Sequence, residues 1–162
     1  MKKKIYLILS TFLIIILCEC AGYKPIFSST NLNFIISDHT IEGDVALGNQ
    51  IFYKLKKISQ TNQNKQNVKN IYMLVKTTKD KTATVKDSAG KIQEYKITLN
   101  VLIKINDYLT NNLILDNTFV SSISYKIQDN YSETVDTENR ALENLINKTY
   151  QDILIKISQS LI

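Results

Sequence analysis

An α+β fold is predicted from this sequence: a two-layer sandwich in which a four-stranded mixed sheet carries two helices on one face, in the order β-α-β-β-β-α. Three observations carry the prediction. Apolar residues recur with a period of two in four segments, so each of these has one face to bury. Two other segments, one after the first strand and one at the C-terminus, repeat their apolar residues at helical spacing. The strand exteriors are polar and each helix has a single apolar stripe, the pattern of helices covering one side of a sheet.

The chain opens with Lys2, Lys3 and Lys4, followed by a run from Ile5 to Leu17 that is apolar apart from Tyr6, Ser10 and Thr11. A basic start and a short apolar stretch are the pattern of an export signal. As a helix the run spans about 20 Å, short of the roughly 30 Å hydrocarbon core of a bilayer. Residues 1–19 are therefore expected to be a lipoprotein-type signal, residues 20–31 a lipidated tether and residues 32–162 a single α+β domain. Cys18 and Cys20 are the only cysteines and close the apolar run, which leaves no disulfide framework for the domain. Cys20 is the favoured lipidation site: Leu17 stands at the aliphatic position three residues before it, and Ala21 and Gly22 follow. Glu19 is unusually large for the position before an acylated Cys. Cys18, preceded by Ile15, Ile16 and Leu17, is the alternative, and a signal whose cysteines play no part is the blander reading.

In the domain, Leu32, Phe34 and Ile36 alternate with Asn33 and Ser37 as a first strand. Leu47, Ile51, Leu55 and Ile58 form one helical stripe, with Lys54, Lys56 and Lys57 toward the end where cations suit the helix dipole. Residues 61–70, rich in Asn, Gln and Lys, read as a loop. A second strand runs through Ile71, Met73 and Val75. The third, from Tyr95 to Ile105, has the clearest alternation in the chain. The fourth passes through Leu113, Leu115, Phe119, Ile123 and Tyr125, and turn chemistry at Asp87 to Gly90 and at 106–112 joins neighbours into an antiparallel meander. If the first two strands are parallel, their crossover is expected to be right-handed. From about Ser132 a long helix carries Val135, Leu142, Leu145, Thr149, Ile153 and Ile157 on one face, with Glu133, Asp136 and Glu138 in its first turns.

Composition narrows the function. The 162 residues are 44% hydrophobic and 22% charged, ordinary for a globular protein. Without the signal, three of the 20 basic and one of the 15 acidic residues go, leaving a net charge of +3. Arg140 is the only Arg, so a dedicated nucleic-acid binder is not expected. His39 is the only histidine and reads as a surface or strand-end residue, which leaves no metal cluster or Ser-His-Asp arrangement to build. No phosphate-loop, HExxH or GxSxG motif occurs, and the carboxylates are scattered among lysines. Tyr95 and Tyr125 fall on core faces, and Tyr53, Tyr108 and Tyr131 remain as candidates for stacking on a ligand. The chain is expected to act by binding, not as an enzyme, with no cofactor.

The Cys followed by Gly22-Tyr23-Lys24-Pro25, the element order, the segment Asp87-Ser88-Ala89-Gly90-Lys91-Ile92-Gln93-Glu94-Tyr95 before a long strand, and Asp129-Asn130-Tyr131 before a C-terminal helix resemble the lipopolysaccharide-assembly lipoprotein family, LptE. The resemblance covers nearly the whole mature chain and rests on the order and spacing of short motifs. Ala21 after the Cys and Glu19 before it depart from the family pattern. The resemblance implies a lipoprotein on the periplasmic face of the outer membrane that plugs an LptD-like β-barrel and helps deliver lipopolysaccharide. Lys76, Lys79, Lys81, Lys86, Lys91 and Lys96 cluster around the second and third strands, where they suit an anionic headgroup. Lys86, Lys91, Lys79 and Lys81 are the candidate lipopolysaccharide-binding residues. The competing reading is that these lysines only solubilise an exposed sheet. A free-standing envelope lipoprotein with another ligand is the functional alternative.

Overall fold

The structure, a computed structural model, describes residues 32–61 and 68–161. The expected signal 1–19 and the tether 20–31, with both cysteines, lie outside the described residues. The elements are strand β1 (Phe34–Gly43), helix α1 (Val45–Gln60), strands β2 (Lys69–Lys86), β3 (Ile92–Asp107) and β4 (Leu113–Lys126), and helix α2 (Tyr131–Ser160). The sheet order is β1-β2-β3-β4, with β1 parallel to β2 and the other pairs antiparallel. Helix α1 packs over β1 and β2, and α2 over β4 and β3. This is the mixed two-layer sandwich that the sequence predicts.

The core forms where odd-numbered residues of β2, β3 and β4 meet the helices. Ile71, Met73 and Val75 lie beside Ile105, Ile103 and, one step further, Leu115 and Phe119, all buried. Leu47, Ile51 and Leu55 of α1 and Leu145, Ile153 and Ile157 of α2 close it from above, as their spacing predicts. Val135, on the same predicted stripe, is instead exposed, because the first turns of α2 stand outside the buried cluster. Two hydroxyls inside the core pair across the layers, Thr149 donating to Ser121 at 3.1 Å, so neither buried polar group is left unmatched.

Strand β1 continues well past its apolar alternation. Ile36 pairs with Ile71 but Asp38 pairs with Tyr72, so Ser37 is an extra residue and the inward phase changes from even to odd numbers. The Ile36 N–H, turned out of the ladder, donates to the buried Ser59 hydroxyl of α1 at 2.9 Å. His39 lies within the strand, stacked on Phe52 of α1 at 3.9 Å between ring centroids. The strand then stops sharply. Gly43 has φ +77°, and a Cβ there would lie 2.1 Å from the Thr77 carbonyl oxygen. Asp44 caps α1 through its carboxylate and the Leu47 N–H. Its N–H donates to the Thr77 carbonyl at 2.8 Å, and its carbonyl accepts from the buried Thr77 hydroxyl at 2.6 Å.

Two tight turns join the meander. Asp87 accepts backbone N–H bonds from Ala89 and Lys91 through one carboxylate oxygen and a side-chain bond from Gln93 through the other. The bond from Lys91 does most to hold its carboxyl below the ordinary range. Asp107 does the same in the β3–β4 turn, bonding the Leu109 and Thr110 N–H groups while Asn111 takes the left-handed conformation at φ 57°.

Candidate functional site: a basic hairpin beside a groove

Beyond Thr77, every residue of β2 is exposed, so the outer half of the β2–β3 hairpin extends past the buried core. The β2 pattern there, Thr-Lys-Asp-Lys-Thr-Ala-Thr-Val-Lys, has no apolar alternation. Its Thr and Val residues suit an extended chain and it is held by pairing with β3, through register shifts at Ala83, Val85 and Lys86.

The pleat divides the six lysines of the cluster. Lys76 and Lys96 lie on the open face of the sheet, Lys76 paired with Glu42 at 3.4 Å. Lys79 and Lys81 have the odd parity of the helix-covered face. Lys81 forms a short ion pair with Glu138 of α2, and its ammonium sits 4.5 Å from the Tyr95 ring centroid and 5.5 Å from that of Tyr125. The Tyr125 hydroxyl donates to the same Glu138 oxygen at 2.6 Å. Burial alone would raise the Glu138 carboxyl, but the bonds from Lys81 and Tyr125 and the charges of Lys81 and Lys79 outweigh it and hold it below its ordinary value. For Lys81, burial would lower the ammonium, and its bonds to Glu138 and Tyr125 raise it instead. Tyr125 is pushed up, first by burial and then by Glu138.

A groove of about 430 Å³ opens over this network. Lys81, Tyr95 and Glu138 line it with Lys91 from the hairpin turn and with Gln128, Asp129 and Tyr131 from the segment leading into α2. Two of the candidate lysines, Lys81 and Lys91, are thus brought to one site. Lys79 stands near it and acts on Glu138 through charge, while Lys86 is exposed and outside the groove lining. Cys20 lies outside the described residues. Nothing in the spacing of the sequence marks Glu138 or Gln128 as site residues. Glu138 is visible in sequence only as a helix-start acid, and its link to Lys81 crosses 57 positions. Of the aromatic candidates, Tyr131 is exposed at the groove rim and Tyr53 and Tyr108 are exposed elsewhere. Among the described residues no helix is long and apolar enough to cross a membrane, and no cluster of three or more His, Cys, Asp or Glu is arranged for a metal.

Neither a protein-family model nor a curated protein matches the chain. Among solved structures the fold recurs in bacterial lipoproteins. A minor lipoprotein of Acinetobacter baumannii matches with a TM-score of 0.56 and 16% identity, over 79% of this chain and 92% of that one. Lipoprotein B of Nitrosomonas europaea gives 0.56 and 15%, over 79% and 86%. Rare lipoprotein B of Shewanella oneidensis gives 0.52 and 10%, over 76% and 96%. At these identities the likeness establishes a shared fold.

Proposed function

We propose that the chain is an outer-membrane lipoprotein, acylated at Cys20, that partners an LptD-like β-barrel translocon and assists lipopolysaccharide transport and assembly by binding. The polarity of the sheet carries this reading. The described chain begins beside the start of β2, where Asn33 accepts a hydrogen bond from Lys69, and the basic hairpin turn lies at the other end of β2. An 18-residue strand is about 60 Å long, more than the 40–45 Å thickness of a bilayer with its headgroups. A chain held at one membrane face therefore has an arm long enough to carry Lys86 and Lys91 through a barrel lumen toward the opposite leaflet, with Lys79 and Lys81 about 33 and 40 Å along it. The open sheet face suits such surroundings. Half-buried Tyr72, Leu74 and Leu102 and exposed Val120 stand among Lys, Thr, Ser and Asn, too apolar to need only water and too polar for lipid, while Ile114, expected on the same face, packs against the core at the β4 register shift.

The fold shared with envelope lipoproteins and the residues resembling LptE support the same reading. The deciding experiment is purification of the tagged full chain from gently solubilised outer membranes. A β-barrel protein present in fixed ratio is expected, and Cys20→Ala is expected to leave the chain in the soluble fraction. A chain that migrates alone, with every large barrel at normal abundance after its depletion, would establish the free-standing lipoprotein instead. Anchoring retained by Cys20→Ala and lost by Cys18→Ala would move the acylation site by two residues.

A further inference from the structure

Two long stretches of sheet edge have no neighbouring strand among the described residues: the side of β2 beyond Thr77, where β1 has ended, and the outer side of β4. An open edge offers its unpaired N–H and C=O groups to any extended chain, and proteins usually spoil such edges with charges, bulges or early endings. The free side of β2 is spoiled in this way, for it carries Lys79, Lys81 and Lys86 and shifts register at Ala83 and Val85. Strand β4 is not. From Leu115 to Lys126 it follows β3 without a register shift. Between Asn117 and Tyr125 it has no charged residue, Gly or Pro, and its Thr, Phe, Val, Ile and Tyr favour an extended chain.

The charges of the strand say what meets it. The Ile127 N–H donates to the Gln93 carbonyl at 2.9 Å, so odd-numbered residues bond toward β3 and the backbone groups of the even-numbered ones point outward. Thr118, Val120, Ser122 and Ser124 are all exposed. Asp116 and Lys126 are the only charged residues of β4, one near each end and equally far from Ser121. Asp116 is held loosely at home, by an exposed ion pair with Lys104 at 3.9 Å.

We infer that two copies of the chain pair along this edge, β4 against β4 in antiparallel fashion about a two-fold axis at Ser121, so that two four-stranded sheets join into one. In that register Asp116 of each copy stands opposite Lys126 of the other, Thr118 opposite Ser124 and Val120 opposite Ser122. No like charges meet, and roughly ten backbone hydrogen bonds form. On the helix side, half-buried Ile123 comes beside Phe119 of the other copy and extends the core across the axis. A slip of two residues in either direction breaks both ion pairs, so the charges select the register as well as the partner. The pairing belongs to the chain before it meets a barrel and goes beyond the function proposed above without resting on it.

The test is sedimentation equilibrium of the full-length chain in a gentle non-ionic detergent over a range of concentrations. A monomer–dimer equilibrium is expected. Asp116→Lys alone and Lys126→Asp alone each set two like-charged pairs across the axis, and each is expected to weaken the dimer about tenfold or more. An equimolar mixture of the two variants is expected to restore it, because each then opposes the other's charges. Val120→Pro removes an outward N–H and none from the ladder to β3, and is expected to abolish pairing with the far-ultraviolet circular dichroism unchanged. A monomer at every concentration overturns the inference, as does a dimer that ignores the charge variants and their mixture. A monomer from which Val120→Pro strips a co-purified barrel gives the edge to that partner and overturns the pairing of copies.

Discussion

At Gly43 the chain turns from β1 into α1 with no room for a side chain, since a Cβ would meet the Thr77 carbonyl oxygen at 2.1 Å and φ is +77°. Both the clash and the conformation oppose any L-residue. Gly43→Ala is expected to cost about 2 kcal/mol or more in stability, read as a lowered denaturation midpoint with full retention of secondary structure. Thr77 acts on the same junction from inside the core. Thr77→Val keeps the shape but removes the donor to the Asp44 carbonyl, for an expected loss of about 1–2 kcal/mol. The Lys81–Glu138 pair gives a pH signature. Glu138 has its carboxyl lowered by folding, so its contribution is complete above the ordinary 4.5 and is lost as pH falls through the lower folded value. Lys81 is raised, so its contribution is complete below 10.5 and is lost as pH rises through the higher folded value. Lys81 is more than one-third exposed and solvent screens the pair, so the effect is modest. Glu138→Gln is expected to lower the neutral plateau of a melting-temperature profile modestly and to flatten its acid limb by the same amount, so that the two profiles converge at low pH. An unchanged acid limb would show that other carboxylates dominate.

Among the elements, β3 is the most legible, because every odd residue from Ile97 to Ile105 is apolar and all five are buried. The helix stripes are legible for the same reason. The second half of β1 is not, since the extra residue at Ser37 reverses which side faces in, and no local residue type announces it. The outer half of β2 is hidden differently: its conformation comes from β3 and not from burial. Parity alone separates Lys76 and Lys96 from Lys79 and Lys81, a distinction present in the numbering once the strand is known to continue. The meeting of Lys81 with Glu138 could not be read, because it depends on where α2 crosses the sheet. For the hairpin as a unit, Lys86→Glu combined with Lys91→Glu is expected to weaken lipopolysaccharide binding by about tenfold or more. The estimate takes charge-assisted contacts at about 1.5–3 kcal/mol once desolvated. Both side chains are exposed in the domain, so its melting temperature is expected to hold. Equal binding by the double variant would assign these lysines to solubility alone.

On the scale of the whole molecule, the two helices cover one face and leave the other to water or a partner. The lysine-rich turn and the β3–β4 turn lie at opposite ends of the strands. Acidic residues introduced on the open face, such as Thr118→Glu with Val120→Glu, are expected to lower the amount of assembled barrel and make the envelope permeable while the purified domain stays folded. Normal barrel levels with a folded variant would remove that face from the interface.

The parallel pairing of β1 with β2 also has a consequence in time. Ile36 waits for Ile71, 35 positions further along, whereas Lys86 and Ile92 are six apart. Closing the longer loop costs more entropy and comes later. The meander β2–β3–β4 is thus the expected folding nucleus, and β1 with α1, although first off the ribosome, docks onto it last. Gly48, where an added Cβ would press within 2.6 Å of the Ile41 side chain, sits in that late contact. Gly48→Ala is therefore expected to speed unfolding while leaving the refolding rate nearly unchanged, whereas truncating Ile103 slows refolding. Until β2 has emerged, Phe34, Ile51 and Leu55 have no sheet to bury against, so the newly made N-terminal third keeps its apolar side chains in water for as long as the rest of the chain takes to follow.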